Sequence, residues 1–346
     1  MNARALLLRL VPQLLALVLI VGLISVVFPG FLAIDLAGGR LYGSPIDVLN
    51  RGAPVALLAI GMTLVIATGG IDLSVGAVMA ICGAVTAKLI GEYGLAVALT
   101  AALGVGLACG LWNGILVALL RIQPIVATLI LMVAGRGIAQ LVTEGRILTF
   151  TDDSLIFLGA GALLGLPVPV WIWLAVGTLV ALGVRRTALG LLIESIGVNA
   201  RASTLAGLNT RVLLLAVYAL SGLCAAVAGV VAAADIRGAD ANNAGLWLEL
   251  DAILAVVVGG TSLLGGRFSV LASLLGAMII QSINTGILLS GFPSEFNLLI
   301  KAAIILVLLV VQSRRVERSF GAWRTRTNRP PPAAASPQTH VEAQAS

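Results

Sequence analysis

From 212 to 234 the chain reads VLLLAVYALSGLCAAVAGVVAAA, with no charged residue. A helical crossing of a bilayer takes about 20 apolar residues, so this run is long enough to span one. Comparable runs lie near 10–29, 53–69, 73–90, 95–119, 125–142, 168–184, 250–263, 269–289 and 296–312. They are continuous rather than alternating, which selects helices over the short alternating strands of a membrane barrel. The expected fold is therefore all-α, a polytopic membrane protein with about ten transmembrane helices, of which 250–263 is short enough to be re-entrant. Composition agrees: 10% of residues are charged and 60% hydrophobic, whereas soluble domains carry roughly a quarter charged residues.

Arg4 and Arg9 precede the first run, which continues into a multi-span chain without a small-residue cleavage site, so it reads as a retained helix. Ten crossings put both termini on one side. Of the 21 Lys and Arg residues, fourteen fall on that side and six on the other, which makes the termini cytoplasmic. The arginines beyond 312 supply six of the fourteen. The net charge of +6 sits mainly in membrane flanks and in the tail. That distribution suits anionic lipid headgroups and gives no sign of a nucleic-acid surface. Residues 313–346 are basic and Pro/Ala-rich and are expected to form a disordered cytoplasmic tail.

The chemistry open to such a chain is narrow. The single histidine, His340, lies in that tail, so neither a histidine triad nor a histidine zinc site fits. Cys82, Cys109 and Cys224 are far apart within apolar runs and read as buried small residues, not as a disulfide or metal set. GTSLLGGR, 260–267, has the glycine spacing of a phosphate loop but lacks its Lys-Ser/Thr pair. No enzyme activity, metal or cofactor is expected. An intramembrane aspartyl protease is disfavoured, because Asp72 lies in GGID rather than GxGD and Asp251 follows Glu249 at the start of its run, where an interfacial place is easy. Gly94, Ala98, Ala102, Gly106, Gly110, Gly114 and Ala118 recur every fourth residue and form a small-residue ridge for close helix packing.

Two polar places interrupt the apolar pattern. In ATGGIDLSVGAVMA, 67–80, two glycines break a helix ending near Thr68. Asp72 then either caps the next helix, with Ser74 in its first turn, or stands at depth where irregular backbone lines a route. Asn113, Asn284, Thr285, Gln123 and Arg136 also lie in or beside spans, where polar groups join helices or face a pathway. Asp72, Ser74, Asn113, Asn284 and Thr285 are the candidate pathway-lining set. The other place is the loop 185–211, with four arginines against Glu194. In it Asn199 is placed to cap a short helix and Gly207 to end it in the left-handed conformation. Such a helix at the membrane surface suits docking of a cytosolic partner. Trp171 and Trp173 read as an interfacial aromatic belt.

The segment LGLLIESIGVNARASTLAGLNTRV, with SPIDVLNRGAPVALLAIGMTLVIATGGIDLSVGAVMA, PIVATLILMVAGRG and AADIRGADANNAGLWLELDAILAVVVGG, resembles the permease subunits of bacterial ATP-binding-cassette (ABC) importers for monosaccharides, in the ribose, xylose and autoinducer-2 branch. The resemblance covers roughly 40–312. It implies a permease domain over 1–312 and a coupling segment within 185–211, with Glu194, Gly197, Asn199, Arg201 and Gly207 facing an ATPase. It further implies a cytoplasmic ATP-binding subunit, a periplasmic sugar-binding protein, a second permease subunit and a place in the bacterial inner membrane. Galactofuranose is the implied cargo, with ribose or another pentose as the rival. A secondary transporter driven by an ion gradient is the alternative of another class, and it would need Asp72 as its coupling carboxylate.

Overall fold

The computed structural model describes residues 3–291 and 294–312; the tail 313–346 lies outside the described residues. The chain divides into two compact units after Lys301, and the first holds the site described below. Among the described residues there are twelve α-helices and only three two-residue or three-residue strand pairs. The helices are α1 (Ala3–Val27), α2 (Ser44–Arg51), α3 (Ala53–Ala67), α4 (Val75–Gly114), α5 (Pro124–Thr143), α6 (Asp153–Ala160), α7 (Val168–Arg186), α8 (Leu189–Leu205), α9 (Thr210–Asp235), α10 (Leu248–Val258), α11 (Val270–Leu289) and α12 (Ser294–Gln312).

Six helices in the described residues are long and apolar enough to cross a membrane, and the bent pair α2 and α3, at 44°, makes a seventh. The difference from ten has physical causes. The runs 73–90 and 95–119 join in α4 and the π-helical turn Ile115–Leu119, 45 residues in all. A straight helix of that length would measure roughly 67 Å, about twice the hydrocarbon core. Gly94 interrupts it with φ 74° and ψ 176°, a conformation open to glycine that folds the segment into two arms. At the run 250–263, α10 has only 11 residues, roughly 16 Å, which is half a crossing. The run 296–312 falls in α12.

The core is built on α9. The second arm of α4 runs antiparallel to it, and the ridge seen in the sequence faces it: Ala98, Ala102, Gly106, Gly110, Gly114 and Ala118 are all buried. A Cβ on Gly106 would sit 2.6 Å from the Gly222 carbonyl oxygen, and one on Gly110 2.9 Å from Ala219 Cα. Backbone therefore lies on backbone, the arrangement that small residues permit in lipid, where water does not drive helices together. Gly94 is not part of this contact; it has open space around it. The first arm of α4 packs on the same helix further along, where Gly83 faces Gly229 and Ala233. On the other flank α3 lies across α9 with Gly61 against Ser221 and Cys224, and α11 packs against α10, α3 and α1. Trp173 is buried rather than at an interfacial belt, whereas Trp171 donates its ring N–H to the Leu163 carbonyl, 2.9 Å.

At one end of the bundle the connecting segments knit together. Leu148 and Thr149 pair antiparallel with Ala239 and Gly238, α6 packs on the end of α9, and the hairpin 35–42 precedes α2. At the other end α8 lies between α7 and α9, touching α3.

Candidate functional site

The glycines at 69–70 end α3, and the chain reverses before α4 starts. Gly69 has φ 83°, and the Gly70 amide returns to the Val65 carbonyl at 3.1 Å. The reversal lies deep in the fold. Asp72 meets Ser221, which is eleven residues into α9, roughly 16 Å along its axis at 1.5 Å per residue.

Around this break four elements converge. The Asp72 carboxylate accepts the Ser74 backbone N–H at 3.1 Å, the Ser74 hydroxyl at 2.7 Å and, from α9, the Ser221 hydroxyl at 2.9 Å. Asn113 of α4 donates its amide to Ser74 Oγ at 2.7 Å and, more weakly, to Asp72 at 3.4 Å. Thr128 of α5 accepts the Leu73 N–H at 3.1 Å and donates to the Pro124 carbonyl of its own helix at 2.9 Å, with the Ile71 carbonyl further off at 3.3 Å. Every member is buried. Tyr218 of α9 brings its hydroxyl against Gly70, without a hydrogen-bond partner among the described residues. A buried carboxylate is tolerated only when donors replace its lost water, and here three backbone or hydroxyl donors do so. The carboxylate thus holds the residues just before α4 to α4 itself and to α9.

Asn284 and Thr285 lie elsewhere, on α11. Lys301 donates to both oxygens of Asp251 at 3.0 Å, and Asn284 lies 3.5 Å from the same carboxylate. Both side chains of the ion pair are largely buried. Thr285 stands 3.4 Å from the Gln281 amide. Asp251, expected at an interface, is therefore an internal, paired group, a contact fifty residues apart that no local pattern announces.

The segment 236–247 is held from α5. Arg136 donates to the carbonyls of Ala241 and Ala244, at 3.0 and 2.5 Å, and Gln140 to Asn242 at 2.8 Å. The Asn243 amide on Asp240 holds that carboxyl below the usual range. Gly245 sits directly against Gly76, two residues after the start of α4 is capped. Beside it, between α4 and α9, lies a cavity of about 340 Å³ whose polar lining is Asp240 and Asn243.

At the opposite end, α8 bends at Asn199, which has φ −160° and ψ 95°. The Asn199 side chain accepts the Ala202 N–H at 2.9 Å, so it starts the short second half of the helix, and Gly207 follows with φ 88°. Ile193, Ile196 and Ser203 face inward. Arg201 and Gly207 are exposed, as are Val198 at 77% and Leu205 at 86%, while Glu194 and Gly197 are half-buried. The pathway-lining and coupling residues inferred from the sequence thus fall into three groups: one around the break, one on α11, one on α8. Tyr218, Ser221 and Thr128 belong to the first and carried no signal of their own in the sequence.

A bundle of apolar helices broken at depth, with a helix exposed at one end, fits a membrane transport component. Residues 44–309 match the family described as branched-chain amino acid transport system / permease component, and the chain belongs to that family. It is 63% identical to the galactofuranose transporter permease protein of Escherichia coli (strain K12), over 88% of this chain and 89% of that one. The fructose import permease protein of Bifidobacterium longum (strain NCC 2705) is 40% identical over 88% and 87%. The ribose import permease protein of Escherichia coli (strain K12) is 38% identical over 88% and 93%. No solved structure matches. The protein is a permease component of the bacterial inner membrane, a transport subunit rather than an enzyme.

Proposed function

We propose that this chain forms, with a second permease subunit, the membrane passage of an ABC importer for galactofuranose. A cytoplasmic ATP-binding subunit docks on α8, and a periplasmic sugar-binding protein delivers cargo at the opposite face. The observation that carries this reading is the exposed apolar pair Val198 and Leu205 beside Arg201 on a capped helix. The inward face of α8 is Ile193, Ile196 and Ser203, so Val198 and Leu205 are free to meet a partner. Identity of 63% to a galactofuranose permease against 38% to a ribose permease supports the hexofuranose over a pentose.

In this reading the chain makes ten crossings with both termini cytoplasmic. The arms of α4 on either side of Gly94 count as two, α2 with α3 as one, and α10 as a half crossing completed by the loops around it. Asp72, Ser74 and Asn113 support the wall of the pathway from within this subunit, and Asn284 and Thr285 support it from α11. Residues 185–211 form the coupling segment, in which Glu194, Gly197, Asn199, Arg201 and Gly207 act. The chain binds no nucleotide; hydrolysis belongs to the partner.

The test is uptake of radiolabelled galactofuranose into liposomes holding this chain, the second permease, the ATP-binding subunit and the sugar-binding protein, with each omitted in turn. Uptake is expected only with all four. Uptake by this chain under a proton gradient alone refutes the assignment, and equal competition by unlabelled ribose moves the cargo to a pentose. Gly207→Val places a β-branched residue at positive φ, which costs on the order of 1–2 kcal/mol. It is expected to weaken docking of the ATP-binding subunit while the permease inserts normally.

A further inference from the structure

Gly197, in the middle of α8, has no side chain between it and the membrane part of the fold. A Cβ there would fall inside the contact distance of the Ala67 carbonyl oxygen and lie 3.0 Å from the Ala67 carbonyl carbon. The last carbonyl of α3, that of Ala67, is also the acceptor for the Gly266 N–H at 2.9 Å. On the third side, a Cβ on Gly265 would lie 2.9 Å from both the Gly197 carbonyl oxygen and the Gly69 nitrogen. Three backbones thus meet at one point: the start of the 68–74 break, the loop between α10 and α11, and α8. Gly265 and Gly266 come from the segment whose glycine spacing imitates a phosphate loop, and this contact is where those glycines are used.

The break leads away from that point to partners near one end of α5 and on α9. Thr128 holds Leu73 to α5, and Asp72 holds α9. On the far side Gly245 rests on Gly76, and Arg136 of the same α5 grips Ala241 and Ala244. A contact of backbone on backbone has no rotamers to absorb a displacement, and close-packed interiors transmit strain instead of dissipating it. A shift of α8 therefore arrives at the break undiminished.

We propose that the contact of Gly197 with Ala67–Gly69 and Gly265–Gly266 is the joint through which α8 moves the two helix breaks as one body, with Gly197 as its positioning residue. The proposal rests on the reading that α8 docks the ATP-binding subunit, and two variants separate them. Leu205→Asp, on the exposed face, tests docking: the ATP-binding subunit is expected to dissociate from the purified complex. Gly197→Ala tests the joint: the subunit stays bound, while sugar transported per ATP hydrolysed falls roughly tenfold, within the range of ordinary coupling energies. If Leu205→Asp keeps the subunit, the docking reading fails and the joint has no input, which overturns both. If docking holds and Gly197→Ala keeps its normal sugar-to-ATP ratio, the joint alone is overturned.

A second measurement decides the matter if Gly197→Ala does not assemble. Val198→Cys and Leu264→Cys replace exposed residues on the two sides of the joint, in a complex whose Cys82, Cys109 and Cys224 are changed to Ala. Spin labels at these sites report one unchanged distance without nucleotide and with a non-hydrolysable ATP analogue, because the two sides move together. The same analogue shifts the distance from Leu264 to Leu141, at the other end of α5. A Val198–Leu264 distance that changes with nucleotide, or a Leu264–Leu141 distance that does not, overturns the proposal.

Discussion

Replacing Asp72 separates a cap from a working charge. In Asp72→Ala the Ser74 N–H, the Ser74 hydroxyl and the Ser221 hydroxyl lose their acceptor inside the bundle, and each orphaned buried donor costs about 1–3 kcal/mol. Removing a buried carboxylate also removes its own desolvation penalty, which offsets part of this. The net expectation is a loss of about 2–4 kcal/mol, three orphaned donors at that range less the relieved desolvation. Asp72→Asn is different. Its oxygen still accepts from Ser74 and Asn113, and its amide nitrogen donates to Ser221 Oγ once that hydroxyl turns. Asparagine also caps helices about as well as aspartate, so the cost stays under about 1 kcal/mol. The assay is thermal unfolding of the purified chain followed by tryptophan fluorescence, paired with uptake in the reconstituted complex. Asp72→Ala should melt several degrees lower and Asp72→Asn close to the parent, with uptake preserved. An Asp72→Asn chain of normal abundance and melting temperature that transports nothing refutes the reasoning, since the charge itself would then be in use.

Gly110→Val inserts a side chain where α4 and α9 touch backbone to backbone. Overpacking of about 1–3 kcal/mol or more should abolish a monodisperse peak in size-exclusion chromatography, while Gly104→Val, in open space, leaves it unchanged. Lys301→Met strands Asp251 and should cost about 3–5 kcal/mol, read as a lowered melting temperature that the added change Asp251→Asn largely restores. Arg136→Gln releases the carbonyls of Ala241 and Ala244, and the segment 236–247 should then be cut by trypsin after the exposed Arg237 several times faster than in the parent; an unchanged cutting rate would show that Arg136 does not hold the segment.

What could be read beforehand was whatever repeats locally. The apolar runs located the helices, the four-residue ridge announced the α4 face that meets α9, and Asn199 and Gly207 marked the bend and end of α8, because caps and left-handed turns are properties of a few neighbouring residues. The partners of those features stayed hidden. Nothing near Asp72 indicates that Ser221, 149 residues away, completes its shell, and nothing near Asp251 points to Lys301. Gly94 was read as the first member of the ridge because the spacing fits; its neighbours show open space and a kink. Hydropathy also measures length without direction, so it gave two runs where α4 has two arms of one element; at 250–263 its shortness did mark the 11-residue α10.

The union of α4 with α9 also bears on how the chain is made. Gly110 is synthesised more than a hundred residues before the Tyr218 and Ala219 backbone it will rest on. At about 5–20 residues per second, the α4 ridge waits in the bilayer for roughly 5 to 20 s before α9 emerges to cover it. Its glycines and alanines present nothing polar beyond helical backbone during that interval, so the helix can enter lipid first and find its partner afterwards. Harm from a bulky residue on the ridge would therefore fall on late assembly inside the membrane, with insertion itself already complete.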